Sequence, residues 1–102
     1  MKQLTLIVHT DSQKDLTDQL RRIDKVRGFT FSHVEGRGAE LESDPFLSAR
    51  DKVVGYTPRV RADILLDDGD VDPTIETLRS ALPGAQGHAF FWVTAVDKSG
   101  HL

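Results

Sequence analysis

The chain has 102 residues, a formal net charge of −3, four histidines and no cysteine. That length suits one domain over 1–102 with its own core, and the missing cysteines exclude a disulfide framework or a thiolate metal site. The acidic balance argues against nonspecific nucleic-acid binding, and no stretch approaches the ~20 apolar residues of a membrane-spanning helix, so the expectation is a cytoplasmic protein with no direct membrane insertion.

Leu4, Leu6 and Val8 alternate with Thr5, Ile7 and His9, a period of two that predicts a strand. Asp11 or Ser12 is then placed to cap a helix, with Asp15 three residues after Ser12 in a capping-box-like position. Leu16, Leu20 and Ile23 fall on one helical face, extended by Val26, and Gly28 is the expected end. Phe29-Thr30-Phe31-Ser32-His33-Val34 alternates again as a second strand, broken by Gly36-Arg37-Gly38. Residues 39–57 hold Glu40, Glu42, Asp44 and Pro45 without a sustained apolar period; they read as a long loop with a helical turn near 46–51, and loops of this length in small domains usually carry function.

Pro58 opens a third strand in which Val60, Ala62, Ile64 and Leu66 share one face. Asp67-Asp68-Gly69-Asp70 reads as a turn, Asp72 as the cap of a second helix with Pro73 at its first position, and Ile75, Leu78 and Leu82 as its buried stripe. Pro83-Gly84 stops it, and 88–96 forms the last strand before a polar tail. The order strand, helix, strand, strand, helix, strand is the ferredoxin-like α+β arrangement, with the long loop between strands 2 and 3. Two helices cover one sheet face. The other should carry Ile7, Thr30, Ser32, Val34, Leu65, Phe90 and Trp92, an apolar surface suited to self-association.

Gly36-Arg37-Gly38 at a strand end is the strongest local signal for a ligand. Glycines admit a close approach of backbone N–H groups, and Arg37 supplies charge for phosphate or carboxylate; plain turn chemistry uses the same triplet. Arg59 and Arg61 point away from the helices, so Arg59 is a second anion-facing candidate and Arg61 a partner for Asp63. His33 and Glu35 share a strand face and, with His101, are candidate ligands for a divalent metal ion, although neither HxxxH nor HExxH occurs. No nucleophile and base stand together. An enzyme on this fold would rest on Asp63 as a titratable group on the sheet.

Gly28-Phe29-Thr30 followed by Val34-Glu35-Gly36-Arg37-Gly38 resembles the second strand of PII signalling proteins and the glycine pair that begins their T-loop. Val53-Val54-Gly55-Tyr56-Thr57-Pro58-Arg59-Val60-Arg61 resembles the return from that loop. Leu82-Pro83-Gly84-Ala85, Phe91-Trp92-Val93 and the closing Ser99-Gly100-His101-Leu102 are similar to a PII-like branch often encoded beside heavy-metal efflux pumps of the resistance-nodulation-division type. The resemblance implies a homotrimer, not an enzyme, that binds a small ligand such as an adenine nucleotide between subunits and acts on a transporter or its operon, with residues 39–57 meeting a membrane transporter. It implies Gly28 and Thr30 near the base, Gly36, Arg37 and Gly38 near the phosphates, Arg59 at the loop's return, Gly87 in the phosphate loop, and His88 in place of a phosphate-binding lysine. The phosphate loop is cut here to Gly84-Ala85-Gln86-Gly87, and Asp97, Lys98 and His101 stand where a C-terminal arginine pair belongs. A smaller anion, an AMP-like ligand or a metal ion held by histidines therefore stands beside ATP, and a histidine-based metal-binding accessory protein is the alternative reading.

Overall fold

Leu4, Leu6 and Val8 on one strand and Val60, Ala62, Ile64 and Leu66 on another need a common apolar partner, and the fold supplies it with two helices on one side of a four-stranded sheet. A computed structural model describes residues 1–37, 56–82 and 89–102. Strands β1 (Lys2–His9), β2 (Phe29–Gly36), β3 (Thr57–Leu66) and β4 (Phe90–Ala95) are antiparallel wherever they pair. Their order is β2-β3-β1-β4, so β3 lies between the two strands joined by the first helix. This is the expected ferredoxin-like α+β arrangement.

Helices α1 (Gln13–Arg22) and α2 (Val71–Ala81) bury Leu16 and Leu20 from the first and Val71, Thr74 and Leu78 from the second. Leu82 closes the core just past α2, and Ile23, Val26, Phe29, Phe31 and Ile75 pack around it. Leu4, Leu16, Leu20, Val60, Ala62 and Ile64 are wholly shielded from solvent. Each such aliphatic side chain except alanine contributes roughly 1.5–3 kcal/mol by leaving water.

The element ends differ from the sequence expectations. Ser12 stands at the N-cap of α1, as expected, but its side chain makes no capping bond. A short 3-10 turn (Thr10–Ser12) precedes the helix, and His9 Nδ1 accepts a hydrogen bond from the Asp11 N–H at 3.1 Å. Gly28 does not end α1 either. The helix stops at Ile23, whose extended ψ of 109° breaks the ladder and lets Ile23 and Val26 turn toward the core. Gly28 lies outside the left-handed region, so it makes no glycine C-cap. Asp72 sits inside the first turn of α2, where its charge complements the helix dipole, and Asp70 is the N-cap without a side-chain bond. Pro73 occupies the third position, among the N–H groups that lack intrahelical partners anyway. The turn expected at 67–70 contains a 3-10 turn (Asp68–Asp70).

Candidate functional site

Register decides which side chains meet on the uncovered face. Thr5 pairs with Asp63 and Trp92, Thr30 with Asp63, Ile7 with Arg61 and Phe90, and Ser32 with Arg61. The uncovered face thus holds Ile7, Thr30, Ser32, Val34, Leu65, Phe90 and Trp92, as the alternation predicted. Leu65 and Phe90 are strongly exposed there, Phe90 at 67%.

A polar knot crosses the middle of this face. Asp63 Oδ1 accepts from Thr5 Oγ1 at 2.8 Å and Gln3 Nε2 at 3.0 Å, and Arg61 Nε donates to Asp63 Oδ2 at 3.0 Å. The Arg61 guanidinium lies 5.6 Å from the Trp92 ring centroid, a cation–π stack, and Trp92 is tilted against Phe90 at 6.4 Å. Partial burial pushes the Asp63 carboxyl up, but hydrogen bonds from Arg61 and Thr5, the Arg61 charge and the Gln3 amide outweigh it and hold the group below its ordinary 3.8. A carboxylate so stabilised is a poor proton acceptor, which removes the support for Asp63 as an acid–base group. The Arg61–Asp63 pair was legible in the sequence. Gln3 and Thr5 were not singled out, and their only signal is two polar residues on the non-core side of β1.

The anion candidates gather at one end of the sheet, where β2 finishes and β3 begins. Gly36 pairs with Thr57, Val34 with Arg59, and Arg59 with His9 on β1. A Cβ placed on Gly36 would meet Arg59 Cγ at 3.8 Å, so the arginine stem runs beside the glycine. Arg37 follows directly and is exposed. Thr57 is wholly buried, and among the described residues its Oγ1 is a shielded hydroxyl with no hydrogen-bond partner; a threonine at a strand start carries no signal for this in the sequence. Gly38, Gly87, His88 and residues 39–55 of the expected T-loop-like segment lie outside the described residues.

Gly28 and Thr30 are at the other end of β2. Six strand steps separate Thr30 from Gly36, about 20 Å, beyond the base-to-phosphate reach of an AMP-sized ligand. One chain therefore does not bring the two groups together. The metal candidates are also dispersed. His33 and Glu35 are exposed on the helix-side face of β2, with His33 Nε2 3.3 Å from Gln13 Oε1, whereas His101 lies in the tail that follows β4, the strand at the other edge from β2. Among the described residues no three His, Cys, Asp or Glu side chains come together to hold a metal ion. None of the described helices is long and apolar enough to cross a membrane.

Two nitrogen regulatory proteins of Methanothermobacter thermautotrophicus (strain Delta H) are similar along almost the whole chain. P-II 2 is 27% identical over 99 residues, covering 96% of this chain and 85% of that protein. P-II 1 is 29% identical over 97 residues, covering 94% and 84%. The crystal structure of a DUF3240 family protein from Shewanella baltica OS155 superposes with a TM-score of 0.76 at 18% identity, over 99% of this chain and 94% of that one, and so shares the fold. The family model described as "Protein of unknown function (DUF3240)" matches residues 1–102, and the chain belongs to that family.

Proposed function

We propose that the chain is a PII-like regulatory protein that binds a small anionic ligand, an adenine nucleotide or a simple oxyanion, in clefts between copies of itself. The observation that carries this reading is the division of β2. Its glycine-and-arginine end (Gly36, Arg37, with Arg59 alongside) and its Gly28–Thr30 end are too far apart to serve one ligand within a chain. They can serve the same ligand when two chains each contribute one end. The apolar uncovered face supports such assembly, and a homotrimer is the assembly proposed. Gly38, Gly87 and His88 complete the proposed anion contacts. The chain is proposed to modulate a transporter or its operon, residues 39–57 meeting the transporter, with heavy-metal efflux the first system to examine.

Calorimetric titration with ATP, ADP, AMP and bicarbonate tests the ligand. Binding of at least one is expected, with Arg59→Ala weakening it tenfold or more, and flat traces for all four would end the reading. A metal-binding accessory role has less support, because the described histidines and carboxylates form no three-ligand group.

A further inference from the structure

Thr57 stands at the first position of β3, directly across from Gly36 and two residues before Arg59, so the three share one face at one end of the sheet. Its side chain is fully buried and its Oγ1 has no partner among the described residues. A desolvated hydroxyl with nothing to bond is a standing cost, and valine, nearly the same shape and at least as good a strand former, would remove it. Gly36 points the same way. Its backbone is outside the left-handed region, and among the described residues an added Cβ would make one ordinary contact, with the Arg59 stem at 3.8 Å. Among the described residues, nothing requires glycine there. Glycine there leaves no side chain between the Arg59 stem and the strand pair that holds Thr57.

We infer that Thr57 is a ligand-recognition residue, its hydroxyl donating a hydrogen bond to an oxygen of the bound oxyanion while Arg59 supplies the charge. This rests on the anion-binding reading above. A hydroxyl beside a guanidinium suits a phosphate or carboxylate oxygen, which accepts from both. The hydroxyl has lost its water before the ligand arrives, so the new bond displaces none. Because it is closed off in the free chain, the contact requires a local rearrangement at the start of β3.

The test is calorimetry on wild type, Thr57→Val, Thr57→Ser and Thr57→Ala with ATP, ADP, AMP and bicarbonate, with adenosine as the uncharged control and a thermal melt of each variant. Thr57→Val is expected to melt no lower than wild type yet bind the anionic probe at least tenfold more weakly. Thr57→Ser should keep the affinity, Thr57→Ala should lose it, and any adenosine binding should not change. The nucleotide and bicarbonate arms identify which oxyanion is recognised. Should Thr57→Val fold poorly, the serine and alanine pair decides alone. Full affinity in a variant without the hydroxyl overturns the role of Thr57 and leaves the anion site standing. If wild type binds none of the anions, the anion site is refuted and the role of Thr57 with it.

Discussion

Asp63 is the residue whose environment is most fully specified, with Thr5, Gln3 and Arg61 all donating to its carboxylate. These donors and the Arg61 charge overcome the effect of partial burial and lower its pKa in the folded chain below the ordinary 3.8 that the unfolded chain keeps. Between those two values the unfolded chain binds more protons, so stability rises with pH across that interval. The contribution is complete above about pH 5 and drains away as pH falls through about 4 and below. Melting temperature measured from pH 6 to pH 3 should therefore fall less steeply for Asp63→Asn than for wild type. At pH 7 the variant should be less stable by about 1 kcal/mol, the modest size reflecting a pair that is partly solvated. Identical acid profiles for the two proteins would show that Asp63 is not held in this way.

At the level of elements, α1 is entered through a side chain from the strand before it. His9→Ala removes the acceptor for the Asp11 N–H and should cost about 0.5–2 kcal/mol in urea unfolding, the usual range for losing a helix-start cap. Leu20→Ala, at a wholly buried position of the same helix, should cost more, about 2–5 kcal/mol. The strands were legible because alternation is a local property: Val60, Ala62, Ile64 and Leu66 announce their common face without reference to anything else. The helix ends were not. Ile23 leaves the helix because it and Val26 are drawn into a core built from distant strands, and the cap at His9, though local, comes from a residue type outside the usual Ser, Thr, Asp and Asn. The candidate site divides the same way. Gly36, Arg37 and Arg59 were visible as residue types at strand ends. The isolation of Thr57 Oγ1 depends on what the finished sheet packs around it, and the union of Gln3 and Thr5 with Asp63 needs the β1–β3 register.

For the whole molecule, the decisive feature is a sheet with one side against helices and the other carrying Leu65, Phe90 and Trp92 toward solvent. Phe90→Glu puts a charge on the most exposed aromatic of that side and removes nothing from the core. Sedimentation velocity should find wild type as an assembly and Phe90→Glu as single chains with unchanged far-ultraviolet dichroism. Equal sedimentation of the two would mean that this side is not where copies meet. The position of Trp92 has a practical consequence. It is the chain's sole tryptophan, set on this side beneath the Arg61 guanidinium. Indole emission therefore comes from one known spot. A blue shift and slower iodide quenching as concentration rises would register contact there directly, without any attached dye.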